Sequence, residues 1–227
     1  HARELLDDPA LVLTDLPANL RDIRRLNRWL GGTRIALGQL APLLPDAPAV
    51  SLLDVATGSG DFPLAATHWA SRKGMALQAT GLDSSTDVLA EARELCRDTI
   101  SLMVGDARSL DVADESFDVV TCCLALHHFS EPDAAQVLAE MWRVARHAIL
   151  VVDLTRGYVA YAGTWLAVQV MARSRLTCHD GPLSVLRAFT PPELRRLAVV
   201  AGVPHSRVTV HPLFRQVLVA RKDSRGG

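Results

Sequence analysis

From residue 50 onward, strand-like stretches alternate with helix-like stretches, and this alternation restricts the fold more than any other feature. "VSLLDVA" (50–56), "ALQATGLD" (76–83), "ISLMVGD" (100–106), a run within "FDVVTCCLALHH" (117–128) and "HAILVVDL" (147–154) are apolar runs of strand length. Near-continuous apolarity is what strands need when helices cover both faces of a parallel sheet. Between them, "FPLAATHWASRK" (62–73) and "PDAAQVLAEMWRVA" (132–145) read as helices, with Pro63 and Pro132 in first turns where a missing N–H costs little. Ser84 or Ser85 caps another, whose apolar face is Val88, Ala92, Leu95 and Cys96. "TPPELRRLAVVAG" (190–202) carries a Thr190/Glu193 capping box and a Gly202 stop. "SRVTVHP" (206–212) and "RQVLVARK" (215–222) close the chain as an antiparallel pair. The implied class is α/β: a doubly wound, mostly parallel sheet with a C-terminal antiparallel hairpin and a helical N-terminal segment.

A length of 227 residues suits one such domain with an added cap. The expected division is a helical lid over 1–45 and a main domain over 46–227, with a substrate-cap insertion at about 154–189. "RDIRRLNR" (21–28) reads as a helix with arginines in water and Leu20, Ile23, Leu26 and Leu30 on the other side. A net charge of −1 leaves no basic surplus to neutralise a phosphate backbone, so nucleic acid is not an expected partner. Cys96, Cys122, Cys123 and Cys178 form no CxxC pair and no zinc spacing, so no metal site is expected and a reducing cytoplasm fits. "YVAYAGTWLAVQVMA" (158–172) is short for a bilayer span, so no stable membrane insertion is expected either. The chain opens on His1 rather than Met, and the expectation is a native N-terminus further upstream.

The chemistry concentrates in "LLDVATGSGDFPL" (52–64), where the first strand breaks into a small loop. Gly58 and Gly60 lack side chains at the strand's carboxyl end, the edge where ligands of open α/β sheets sit. A nicotinamide or flavin loop continues to a third Gly or Ala, whereas this one reaches Pro63. Asp54, Asp83 and Asp106 each stand at a strand end. That ring of carboxylates repels a pyrophosphate and suits a ligand with a cationic end, a ribose diol and an amine-bearing base. Asp54 lies inside an apolar run and needs a partner if buried. Asp61 either touches the ligand or favours its helix N-terminus.

"LLDVATGSGDFPL", "GLDSS", "VGDARSL" and "FDVVTCCLALHHF" together resemble class I S-adenosylmethionine-dependent methyltransferases over roughly 50–155, and the closing helix and hairpin at 190–222 also suit that family. The resemblance implies a seven-stranded Rossmann-like fold and S-adenosyl-L-methionine as cofactor. By that resemblance Asp54, Ala56, Thr57, Gly58, Ser59 and Gly60 cradle the methionine part. Asp83 and Ser84 hold the ribose, Asp106 and Ala107 the adenine, and Leu124 lies along the cofactor by its backbone. The "LNRWLGGTR" segment (26–34) resembles N-terminal segments of small-molecule and quinone-type methyltransferases, which implies that Trp29, Gly32 and Arg34 close over the cofactor carboxylate.

Nucleic-acid amino methyltransferases carry an Asp/Asn-Pro-Pro-aromatic motif where this chain has "LALHHF". The expected acceptor is therefore small: an oxygen or carbon of an aromatic, polyketide-like or quinone-like ring. A homodimer is the assembly considered, with the oligomeric state left open by the sequence. His128 and His127 are base candidates for such an acceptor, and a packing role suits either as well. His179, in a stretch "RLTCHDG" (175–181) that reads as a loop, is a third. Tyr158, Tyr161, Trp165, Met171 and Phe189 are the expected apolar lining of a lid, although such stripes also serve as ordinary core. Two other functions compete: a nicotinamide-dependent oxidoreductase, suggested by the Gly-x-Gly pair alone, and a non-catalytic cofactor-binding partner subunit.

Overall fold

Leu52 and Leu53 are both fully buried yet face opposite ways, because successive side chains of a strand point to opposite sides of its sheet. Leu53, Val55, Val120, Cys122, Ile149 and Val151 form one core with Leu138, Met141, Leu194 and Leu197. Leu52, Val50, Val119, Leu150, Val152 and Val217 form a second core with Ala36, Leu40, Phe62 and Ala66. A sheet buried on both faces follows, as the apolar runs require.

The computed structural model describes residues 9–222. In chain order the elements are α1 (Pro9–Trp29), α2 (Gly32–Leu40), β1 (Ala49–Val55), α3 (Asp61–Ser71), β2 (Ala76–Asp83), α4 (Thr86–Cys96), β3 (Ser101–Val104) and β4 (Phe117–Cys123). Then come α5 (Glu131–Val144), β5 (Ala145–Leu154), α6 (Tyr158–Met171), α7 (Arg175–Arg187), α8 (Pro191–Val200), β6 (Arg207–His211) and β7 (Arg215–Arg221). The seven strands lie in the order β3-β2-β1-β4-β5-β7-β6. β1 through β5 are mutually parallel, while β7 runs antiparallel between β5 and β6. The order turns outward in both directions from β1 and β4, which opens a crevice at their carboxyl ends.

Local signals account for most boundaries. Ser85 accepts the Val88 N–H at the start of α4, Ser130 accepts the Asp133 N–H at the start of α5, and α8 opens on the Thr190/Glu193 capping box. The expected loop at 175–181 is instead the first half of α7. Ser174 caps it by accepting the Leu176 N–H, and Gly181 permits the close crossing of α6: a Cβ there would lie 2.9 Å from Val168 Cγ1. Tertiary packing overrides the helix-breaking character of Gly181 and Pro182.

Candidate active site

The loop after β1 turns tightly into α3 through three left-handed residues, Ala56 (φ 52°), Gly58 (φ 57°) and Gly60 (φ 71°). Gly60 has a steric reason as well, since a Cβ there would lie 2.9 Å from Cys96 Sγ. Leu124, just past β4, is also left-handed (φ 55°), with its N–H donated to Val152 O at 2.7 Å. Two non-glycine residues in this conformation, at the ends of adjacent strands, mark the crevice as a place where backbone strain is tolerated.

Asp54 is the deepest polar group there. Thr57 Oγ1 donates to it at 2.7 Å and Thr121 Oγ1 at 2.6 Å, from the facing position on β4. Burial pushes its carboxyl up to about 7 despite both hydroxyls, and Asp61 and Asp83 add repulsion. Burial also raises Asp61, whose Oδ1 accepts from Ser59 Oγ at 3.1 Å. Asp54 and Asp61 line one small cavity of about 30 Å3 with Asn27, Gly32, Thr33 and Leu124. Two carboxyls held above their ordinary range by dehydration form a receptor for a cation such as an ammonium.

On the other side of the loop, Asp83 accepts the Gly58 N–H at 2.9 Å and the Ser85 N–H at 3.0 Å. Each carboxylate oxygen keeps a lone pair beyond these bonds, enough for a vicinal diol. Ala56, Asp83, Ser84, Asp106, Ala107 and Phe129 line a second cavity of about 110 Å3. The donor set therefore fits an adenosyl group with an amino-acid tail: a diol acceptor at Asp83 with apolar Ala107 and Phe129 on one side, acids on the other.

Asp106 departs from expectation. Its carboxylate is held by Arg108, through the backbone N–H at 2.9 Å, Nε at 3.0 Å and Nη2 at 2.7 Å, which keeps it below the usual carboxylate range. It lines the adenosyl-sized cavity already paired, so an amine there competes with Arg108. Gly32 lines the acidic cavity, but Trp29 and Arg34 face solvent, because α1 and α2 turn those side chains outward.

A third cavity, of about 120 Å3, adjoins the crevice, and Leu124 and Asn27 belong to both. Ile23, Leu26, Leu30, Leu154, Ala167 and Val168 make most of its wall; His127, His128, Asn19, Asp180 and Arg215 supply polar groups. α1 reaches this position through Asp22, which accepts the backbone N–H groups of Arg173 and Ser174, and Asn19, which donates to Thr177 Oγ1 at 3.1 Å. The expected lining of the cap is largely displaced. Tyr158, Tyr161 and Trp165 face outward from α6, and Phe189 joins the main core, while smaller residues of the opposite α6 face line the pocket.

His127 is buried, with Nδ1 2.6 Å from Asp153 Oδ1, and its backbone N–H donates to Asp153 Oδ2 at 2.9 Å. Held by the same carboxylate at ring and backbone, the imidazole has little freedom, and Nε2 is the nitrogen left for the pocket. His128 lines the same pocket, half-buried, with ring centroids 4.2 Å apart and its carbonyl accepting from Arg187 at 3.0 Å. His179 is not brought to the site: it lies exposed on α7, paired with Asp180 at 2.8 Å, and Asp180 is the one that lines the pocket.

The family described as a methyltransferase domain matches residues 52–148. Demethylmenaquinone methyltransferase of Roseiflexus sp. (strain RS-1) is 36% identical over 164 residues, covering 66% of this chain and 66% of that protein. The chain belongs to the class I S-adenosylmethionine-dependent methyltransferases. The ubiquinone/menaquinone biosynthesis C-methyltransferase of Bradyrhizobium sp. (strain BTAi1) is 34% identical over 118 residues, 50% of this chain and 44% of that protein. The chain thus spans between under half and about two thirds of the length of these relatives. Among solved structures, a SAM-dependent methyltransferase from Aquifex aeolicus superposes with a TM-score of 0.64 at 16% identity, covering 90% of this chain and 97% of that one. Magnesium protoporphyrin IX methyltransferase from Synechocystis, with bound SAH, gives 0.59 at 13% identity over 89% and 86%. At such identities the likeness shows the fold alone. The relatives lend no support to the nicotinamide or partner-subunit readings.

Sequence reasoning missed three groups of this candidate site. Asp153 carried the same signal as Asp54, a carboxylate ending the apolar run "ILVVD". Thr121 lay inside a run that read as pure core. Arg215 opens an edge-like strand and reaches the pocket only because β7 is inserted antiparallel beside β5.

Proposed function

We propose that this chain transfers a methyl group from S-adenosylmethionine to an oxygen or carbon of a small aromatic or quinone-like acceptor. The observation that carries the reading is the shared wall at Leu124: an acid-lined crevice suited to an adenosyl sulfonium opens beside an apolar pocket holding a His–Asp pair. The names of the demethylmenaquinone and ubiquinone/menaquinone relatives support a quinone-like ring.

When bound, the cofactor supplies an electrophilic methyl on a sulfonium, and the transfer leaves a neutral thioether. The chain's own residues do the rest. Asp83 takes the ribose hydroxyls, while Asp54 and Asp61 face the ammonium directly or through the loop. The pocket under α1, α6 and α7 holds the acceptor in line, which supplies much of the acceleration. His127 accepts the acceptor's proton at Nε2, and Asp153 keeps Nδ1–H oriented and stabilises the imidazolium. His128 lines the acceptor's other side. A lid function for residues 1–45 and for the 154–189 cap, and a cytoplasmic location with a small-molecule partner, belong to the same reading.

No helix among the described residues is long and apolar enough to cross a membrane. The test is calorimetry with S-adenosylmethionine and S-adenosylhomocysteine, followed by radiolabelled methyl transfer to a panel of phenols and hydroquinones. Binding of the cofactor with label in the aromatic product supports the reading; a folded sample that binds neither ligand refutes it.

A further inference from the structure

Arg215 presents an unfinished interaction inside the acceptor pocket. It is 4% exposed and opens β7 opposite Leu154, at the same sheet edge as the His127–Asp153 pair. Nη1 donates to Leu213 O at 3.1 Å, but Nε is buried with no partner among the described residues. No carboxylate there lies within ion-pair distance of the guanidinium. Asp153, whose charge acts on it, is spent on the His127 ring and on the N–H groups of His127 and Leu154. Asp180, the other acid lining the pocket, is engaged with His179.

On the facing wall Asn19 shows the complementary gap: Nδ2 donates to Thr177, while Oδ1 is buried and unpartnered. A dry guanidinium without a counter-charge is costly, and an orphaned amide oxygen adds to that cost. Both groups line one largely apolar pocket of a size suited to a ring. A ligand that brings an anionic oxygen to Arg215 and a donor to Asn19 would complete both sets.

We propose that the acceptor is bound as its oxyanion, an ionised hydroxyl of a phenol or enol ring seated against Arg215, with a hydrogen-bond donor of the same ring facing Asn19. This rests on the methyltransferase reading and narrows its substrate class to rings acidic enough to ionise in the pocket. Arg215 is then a specificity-determining residue: rings of the same shape without an ionisable hydroxyl lose the charge complement that its guanidinium provides. The one bond broken is the hydroxyl O–H, and its proton goes to His127 Nε2, the base of the proposed function, while Arg215 holds the oxyanion that remains. One other anion competes for the same guanidinium, the carboxylate at the amino-acid end of the cofactor. Nε lies 3.6 Å from where a Cβ of Gly32 would stand, and Gly32 lines the acidic crevice. Arg215 lines the acceptor pocket and not that crevice, which favours the acceptor.

The experiment uses the full chain saturated with S-adenosylhomocysteine and para-nitrophenol as probe, since its phenolate absorbs separately and forms near neutral pH. Nitrobenzene is the neutral control, and cofactor affinity is measured by calorimetry in parallel. In the wild type, the bound probe should ionise about one pH unit lower than the free probe, a tenfold preference for phenolate that one charge-assisted hydrogen bond supplies. Arg215→Gln should abolish that displacement and Arg215→Lys should retain part of it, both with unchanged cofactor affinity.

The wild-type titration needs no variant, so a probe that ionises as it does in free solution overturns the proposal even if both variants fail to fold. Retention of the displacement in Arg215→Gln overturns it too. Loss of cofactor affinity in that variant with the displacement intact overturns it in favour of the cofactor carboxylate. A displaced titration without any cofactor binding would sustain the anion site and sink the methyltransferase reading instead.

Discussion

Replacing Asp54 with asparagine keeps the shape of the side chain but removes its proton equilibrium. The wild-type carboxyl titrates at about 7 in the folded chain against a reference of 3.8, because it is fully enclosed between β1 and β4. Between those two values the unfolded chain has lost the proton and the folded chain still holds it. The stability that this raised value contributes is therefore complete below about pH 4 and is lost as pH rises toward 7. Each pH step within the window costs about 1.4 kcal/mol, and the whole displacement about 4 kcal/mol.

Asparagine has no such dependence, and the hydroxyls of Thr57 and Thr121 can rotate to suit its oxygen and its amide. In urea unfolding without ligand, the stability of Asp54→Asn minus that of the wild type should grow by about 3 kcal/mol from about pH 5 to about pH 8. The difference between the two proteins isolates this one group from every other titration. A difference that stays flat with pH, or shrinks, would show that the carboxyl is ionised throughout and that its enclosure does not raise it.

Asp83→Ala should lower S-adenosylhomocysteine affinity in calorimetry by at least about thirtyfold, since it removes two charge-assisted acceptors. It should also cost about 1–2 kcal/mol of stability, because the Gly58 and Ser85 N–H groups lose their acceptor; unchanged affinity would contradict the ribose role. His127→Gln should slow turnover by about a hundredfold to ten-thousandfold while leaving cofactor affinity within about twofold, and an unaltered rate would return the base role to His128. Gly60→Ala should destabilise the chain by about 1–3 kcal/mol in denaturant titration, through its left-handed backbone and the approach to Cys96. A neutral effect there would mean that the loop can move away from α4.

The alternation of apolar runs made the layered sheet legible, and strand-end carboxylates pointed to the edge where the candidate site lies, because both signals are local. Asp54 and Asp83 stand where their neighbours in sequence placed them. What failed was anything decided by distant packing. The 175–181 stretch looks like a loop until α6 presses Val168 onto Gly181. Tyr158 and Trp165 look like a pocket lining until the helix phase turns them outward and leaves Thr164, Ala167 and Val168 inside. Asp106 is a local case instead: Arg108, two residues on, folds back to pair with its carboxylate, although Asp106 still lines the cavity.

The clasp between α1 and α7 has a consequence for how this molecule is put together. Among the described side chains, neither buried core of the sheet draws one from α1, yet Asn19, Ile23 and Leu26 of that helix, with Leu30 just after it, line the chamber where the acceptor would sit. Asn19, Asp22 and Arg25 fasten α1 to the α6–α7 cap, while Asn27, near the end of the same helix, lines both this chamber and the acidic crevice. Changes at Asn19, Ile23 or Leu26, which line this chamber and not the acidic crevice, would reshape what is accepted while β1 to β4 stay as they are.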